Sequence, residues 1–289
     1  MITVMRAGPL TTVQDLGRPG YAHLGVPRSG ALDSAALGRA NALVGNPIAA
    51  AGLETTLMGC ALRFEVAARV AVTGATARVR IDKVPVEGEV FDVPAGGVLD
   101  IGRATAGVRS YLAVAGGLAV EPVLGSRATD TLSGLGPAKL TDGMTLPIGL
   151  GPSQVADGMM LPVGTDAGGA PPVAAVTPAD ALDLGVRLGP RDDWFVPGEL
   201  FGSAFTVSPV SNRVGCRLTG AALTRTKEGE LPSEGVVLGA IQVPADGQPL
   251  IFLADHPTTG GYPVIGVVAG VGPLAQARPG TTVRFHALD

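Results

Sequence analysis

Val70-Ala71-Val72-Thr73, Val79-Arg80-Ile81-Asp82, Val90-Phe91-Asp92-Val93 and Val98-Leu99-Asp100-Ile101 follow one another between Ala61 and Gly102, each bounded by turn residues. Val79 to Asp82 and Val90 to Val93 alternate apolar and polar side chains, as a strand does when one face is covered and the other wet. The same punctuation runs through most of the chain: short apolar runs separated by Gly and Pro, the mark of many short strands. Tyr111 to Ala115, Val236 to Val243, Leu250 to Ala254, Val264 to Val268 and Thr282 to His286 read as further strands. One segment carries the other period. From Asp33 to Asn46, Ala36, Leu37, Ala40, Leu43 and Val44 form one apolar stripe at helical spacing. Asp33 suits the N-cap, Gly45 the left-handed stop, and Pro47 blocks any return. A second, shorter helix is expected near Pro197, carrying Glu199-Leu200-Phe201, with Trp194 and Phe195 before it as core anchors. The fold class is all-β with a few short helices.

With 46% hydrophobic residues the chain is no disordered polymer, despite 43 Gly and 24 Pro. Its 289 residues suffice for one large β domain or two ordinary ones. Gly151 to Asp180, rich in Gly, Pro and Ala, reads as a connection. That gives an N-terminal β domain over 1–165 with its helix near 33–45, a linker at 166–182 and a C-terminal domain over 183–289. Lys and Arg number 21 against 25 Asp and Glu, a net charge of −4, so no basic face for nucleic acid is expected. Cys60 and Cys216 stand far apart, fitting two free thiols in a reducing compartment. No signal peptide is read at the start. Pro257 to Gln276 lacks charge but is interrupted by Pro263, Pro273 and glycines, so no spanning helix is expected. A soluble, cytoplasmic protein is the expectation.

Familiar motifs are missing. No P-loop occurs, and no G-x-S-x-G. His23, His256 and His286 are dispersed, and no metal site is expected. Gly270-x-Gly272-x-x-Ala275 imitates a dinucleotide fingerprint, but Pro273 inside it leaves almost no helix to face a pyrophosphate. Four polar clusters stand out instead. The first joins Thr11 to Tyr21 with Gly25 to Asp33; its Gln14, Asp15 and Arg18 either line an anion site before the helix or make an ordinary capped turn. The second, Gly116 to Thr131, contains Arg127 and Asp130 at ion-pair spacing. In the third, Ser208 to Leu218, Asn212 and Arg213 offer donors to a carboxylate or carboxyphosphate. The fourth runs from Pro232 to Pro263 and holds Glu234, Gln242, Gln248, Asp255 and the Thr258-Thr259-Gly260-Gly261-Tyr262 loop. Loop N–H groups there can converge on an anion, and a strand-end carboxylate suits acid–base work; tight hairpins with side-chain caps explain the same residues.

These clusters carry a resemblance over nearly the full chain, in order: Thr11 to Tyr21, Gly25 to Asp33, Ala40 to Gly45, Leu53 to Leu57, Val72 to Ala75, Tyr111 to Gly117, Gly125 to Leu132, Ser211 to Leu218 and Ser233 to Pro263. The chain resembles the KipA-type family, the second subunit of bacterial 5-oxoprolinase, also labelled allophanate hydrolase subunit 2. That family is similar to the second half of the urea carboxylase carboxyltransferase domain. The resemblance implies two β-barrel-like domains, the C-terminal one cyclophilin-like. It implies a KipI-type sibling, a LamB/YcsF-type subunit and ATP-dependent opening of the 5-oxoproline lactam to glutamate. ATP would be bound here or by a partner, and no biotin is attached to this chain. Self-association is left open, and activity is expected only in the complex. On that chemistry Asp255 or Glu234 is the base. Asn212, Arg213 and Thr258 to Gly261 hold the anion, while Gln242 and Gln248 orient the amide. Two other readings compete: a carboxyltransferase-like module of a biotin-dependent urea pathway, and a non-enzymatic antagonist of a KipI-type kinase inhibitor. The chain departs from the family at His256-Pro257, where Arg-Gln is usual, which removes a guanidinium and an amide beside the expected site.

Overall fold

The computed structural model describes residues 1–149, 181–229 and 231–289, so the connection read at Gly151 to Asp180, and nearly all of the linker at 166–182, lie outside the described residues. The described residues form two compact units. One takes 1–16, 33–129 and 136–149; the other takes 17–32, 130–135 and the described residues from 181 onward.

In the first unit the strands are β1 (Ile2–Arg6), β2 (Thr11–Gln14), β3 (Gly52–Thr56), β4 (Ala61–Phe64), β5 (Ala68–Ile81), β6 (Val84–Val86), β7 (Val90–Val93), β8 (Val98–Val114) and β9 (Thr145–Leu146), with helix α1 (Ser34–Leu43) between β2 and β3. They make one nine-stranded curled sheet in the order β2-β3-β8-β4-β1-β9, with β5 along the other edge of β8 and β6 and β7 on β5. The runs expected as separate strands at Val70 and Val79 are one strand, and so are those at Val98 and Tyr111. Their interruptions are bulges: the β5–β8 ladder shifts register three times between Gly74 and Val79, and Gly74 and Gly107 take φ of 87° and 74°. Each bulge bends its strand without ending it, which curls the sheet. One face packs on Leu53, Leu62, Leu99, Ile101 and Leu112. The other meets α1, where Ala40 and Val44 pack on Ala71 and Ala113 and the Thr73 hydroxyl donates to Ala36 O at 2.7 Å. The Asp33 cap is formed: its Oδ1 accepts from Ala36 N at 2.9 Å. Gly45 follows at φ 76°.

In the second unit β10 (Ala181–Leu188), β11 (Phe205–Val207), β12 (Gly215–Gly220), β14 (Ala240–Gln242), β15 (Leu250–Phe252), β17 (Val264–Val268) and β18 (Thr282–Ala287) close a barrel in the order β10-β17-β14-β15-β12-β11-β18. A small ribbon of β13 (Glu234–Gly235) and β16 (Thr259–Gly260) stands apart from it. The curled sheet and the closed barrel are the barrel-like domains that the resemblance implies. Closure comes from β18, which pairs parallel with β10 and antiparallel with β11. The strand expected over Val236 to Val243 shrinks to Ala240–Gln242, because Gly239 turns the chain at φ 83°. The helix expected near Pro197 is the single turn α2 (Glu199–Gly202); Phe195 is buried and Trp194 packs against the same core. Gly272–Ala275 forms a four-residue helix, α3, too short to seat a pyrophosphate. Among the described residues no helix is long and apolar enough to cross a membrane, and no cluster of His, Cys, Asp and Glu could hold a metal.

Candidate functional site

Three of the segments singled out in sequence converge on Asp255, just beyond β15. Its carboxylate accepts from Arg213 Nε (2.9 Å), Arg213 Nη2 (2.9 Å), the Ser29 hydroxyl (2.8 Å), the Thr131 amide (2.9 Å) and the Thr131 hydroxyl (2.7 Å). Arg213 Nη2 also reaches Gly30 O at 2.7 Å, and both charged side chains are almost wholly buried. This knot explains why 17–32 and 130–135 join the barrel's unit; Ser29 N donates to Ala254 O, and Leu32 enters the barrel core. Burial pushes the Asp255 carboxyl up, but the Arg213 charge and the donated hydrogen bonds outweigh it and hold it below the usual range. Five donors exceed the roughly four lone-pair sites of a carboxylate. This geometry supports an anchoring role for Asp255 beside the expected base role, and Arg213, expected to hold an anion, binds the Asp255 carboxylate.

A second grouping lies where the ribbon meets the end of β14. Glu234, opposite Gly260, makes a two-pronged ion pair with Arg191, one prong being Arg191 Nε to Oε2 at 3.2 Å. Hydrogen bonding from Arg191 lowers the Glu234 pKa, so the carboxylate is charged near neutrality. About a third of each side chain stays in contact with solvent. The buried Gln242 sends Nε2 to Tyr262 O at 3.0 Å, pinning the loop after β16. Gly260 makes this approach feasible: a Cβ there would lie 2.5 Å from Gln242 Nε2. Alongside is a pocket of about 650 Å³ lined by Arg225, Gly229, Leu231, Ala245, Gly261, Tyr262 and Pro263. The register of β14 against β17 slips at Ile241/Gln242, at the inner edge of this grouping.

The Thr258 to Gly261 loop, expected to cradle an anion, is partly drawn into the ribbon. Thr259 and Gly260 are strand β16, and Thr258 O accepts from Val236 N, so these groups serve ribbon pairing. The other expected residues are local. Asn212 Oδ1 accepts from Val214 N (2.8 Å) and Gly215 N (3.2 Å), closing a turn. Gln248 bonds both main-chain groups of Gly220, imitating a strand neighbour. In the first unit, Gln14 Nε2 donates to Thr12 Oγ1 and Thr129 O, and Asp15 accepts from Ser126 Oγ and Arg127 N. Arg18 is 1% exposed, and its amide donates to Arg28 O. None of these five residues forms part of the pocket's described lining. His256 is buried beside Phe252, with Nδ1 2.6 Å from Pro257 O, and burial lowers its pKa.

Sequence reasoning missed Ser29, Thr131, Arg191 and Arg225 as partners. Ser29 and Thr131 sat inside the quoted clusters; Arg191 and Arg225 sat in turn-like stretches with no signal linking them to Glu234 or Tyr262. Both cysteines are buried and neither forms a disulfide, and burial pushes the Cys60 thiol up to about 12, which disfavours it as a nucleophile.

The carboxyltransferase domain family, subdomains A and B, matches residues 24–287. The C-type subunit of 5-oxoprolinase from Escherichia coli (strain K12) is 40% identical over 99% of this chain and 90% of its own length. The urea amidolyase of Saccharomyces cerevisiae is 32% identical over the whole of this chain, which spans 17% of that protein. The solved urea carboxylase of Kluyveromyces lactis superposes with a TM-score of 0.87 at 30% identity, covering 100% of this chain and 27% of the longer one.

Proposed function

We propose, for a chain that belongs to the family of C-type 5-oxoprolinase subunits and shares its carboxyltransferase A and B subdomains, that it serves as one part of an ATP-dependent lactam hydrolase opening 5-oxoproline to glutamate. The observation that carries this reading is 40% identity spanning 99% of the chain and 90% of the bacterial relative. In this reading the pocket beside Tyr262 receives the lactam, and Glu234, charged and open to solvent, takes the proton from the attacking water. Arg191 fixes the carboxylate, and Gln242 holds the pocket's loop in place. A carboxylate of low pKa is a weak base, so it suits attack on an already activated carbonyl.

Among the described residues, Thr259 and Gly260 pair in the ribbon, and Arg213 binds the Asp255 carboxylate. We therefore place nucleotide on a partner, a KipI-type sibling or a LamB/YcsF-type subunit, in the cytoplasm. The likeness to urea-processing chains favours a second reading, a carboxyltransferase-like module that needs separate biotin-carrying chains. The test is reconstitution: purified chain, sibling and LamB/YcsF-type subunit, with 5-oxoproline loss and ADP formation followed as each is omitted. ATP-dependent loss that disappears without this chain supports the hydrolase. A pure, stable complex that acts on urea only when a biotin carrier is added supports the second reading.

A further inference from the structure

Arg225 is the charged residue among the described lining of the Tyr262 pocket. It is held from two sides. An antiparallel bridge joins it to Phe195, and its Nη2 donates to Val243 O at 2.9 Å. Val243 in turn donates its own N–H to Pro263 O at 3.0 Å, so one residue just after β14 ties the guanidinium to another residue of the pocket lining. The flanking chain is equally fixed: Thr224 N donates to Glu199 Oε2 at 2.7 Å, and Thr226 N to Trp194 O at 2.8 Å. Yet Arg225 Nε is buried with no hydrogen-bond partner among the described residues. A buried guanidinium N–H left unpaired is costly, and a positioned fork with spare donors matches a planar carboxylate. The remaining described lining is small or apolar, Gly229, Leu231, Ala245, Gly261 and Pro263, with Tyr262 at 50% exposure. A compact ring bearing one carboxylate fits both halves of that surface.

We infer that Arg225 is the specificity residue of this pocket and binds the carboxylate of a small cyclic amino-acid-derived acid, leaving the ring amide to face the rest of the site. This rests on the hydrolase reading, since the acid is then 5-oxoproline itself. Lactams lacking the carboxylate are refused because they leave the guanidinium unpaired.

The reconstituted complex tests it with two substrates, 5-oxoproline and 2-pyrrolidinone, the same ring without the carboxylate. Arg225→Gln raises the KM for 5-oxoproline about 10- to 100-fold, the range of a charge-assisted hydrogen bond. It leaves kcat within a few-fold and narrows the preference over 2-pyrrolidinone by the same factor. Arg225→Lys, which keeps the charge without the fork, lies between. An unchanged KM, or an equal loss for both substrates, overturns the assignment while leaving the hydrolase reading intact. If the wild-type complex turns over no 5-oxoproline, the hydrolase reading falls separately. Ligand-observed NMR on the same complex then decides the pocket: binding of 5-oxoproline but not 2-pyrrolidinone, lost in Arg225→Gln, upholds it. No difference between the proteins refutes it.

Discussion

Asp255 and Glu234 are two carboxylates, each facing an arginine, and their surroundings give them opposite duties. Asp255 is 0% exposed and Arg213 1%, so removing one partner strands the other's charge out of water. Such a loss costs about 3–5 kcal/mol, so Asp255→Asn is expected to lower the urea midpoint of the barrel sharply. The pH dependence has a definite sign. The folded Asp255 pKa lies below the value of about 3.9 expected unfolded, so its contribution is complete above that value. It is lost as pH falls through the folded pKa. The gap between wild type and Asp255→Asn measured by urea titration should therefore be wide at pH 6 and begin to narrow once pH falls below about 3.9; an unchanged gap refutes the anchor. Glu234 and Arg191 stand in solvent, where a pair adds little to folding. Glu234→Gln should leave the melting transition in place while turnover in the complex falls about 100-fold or more, the scale of general-base catalysis. Full turnover would remove Glu234 from the chemistry.

Two glycines show how elements carry such residues. Gly59, in the turn between β3 and β4, has φ 63°, and a Cβ there would lie 2.0 Å from Ile101 O. Main chain cannot yield, so Gly59→Ala is expected to destabilise the curled sheet by more than about 2 kcal/mol. Gly260 differs: its Cβ would strike the end of the Gln242 side chain, which can move. Gly260→Ala should keep the melting temperature within a few degrees yet raise the KM of the complex, as Gln242 leaves Tyr262 O. A normal KM would show that Gln242 does not shape the pocket. The same contrast explains what could be read from sequence. Helix α1 with its Asp33 cap and strand β17 over Val264 to Val268 were legible, because cap, stop and period are local signals. The fusion of Val70 with Val79 into one strand was not, since Gly and Thr mark a bulge and a turn alike. Nor was the pairing of carboxylates with arginines. Arg213 lies just before β12 and Asp255 just after β15, and only the register of that antiparallel pair, Gly215 opposite Phe252, brings them together. Residue types located the clusters, while ladder register decided which of them were filled from within and which stayed open.

At the scale of the molecule, this chain offers a pocket and an accessible carboxylate, and the proposed place of the nucleotide on a partner is itself testable. A lactam carbonyl needs activation before water attacks it, and if a partner seats the activating nucleotide, as proposed, this chain does not turn over 5-oxoproline alone, whatever its pocket binds. The isolated protein is therefore expected to show no ADP formation and no 5-oxoproline loss. The full complex should show both, in step and dependent on every subunit. Avidin provides the sharper discrimination, because a carboxyltransferase module needs biotin delivered on another chain whereas a lactam hydrolase does not. Turnover unaffected by excess avidin and by removal of bicarbonate upholds the hydrolase reading. Turnover abolished by avidin transfers the same pocket, with Glu234 and Arg225 still lining or bordering it, to carboxyl-group chemistry. ATP-dependent turnover by the isolated chain would contradict the division of labour, since the nucleotide would then have to sit on this protein after all.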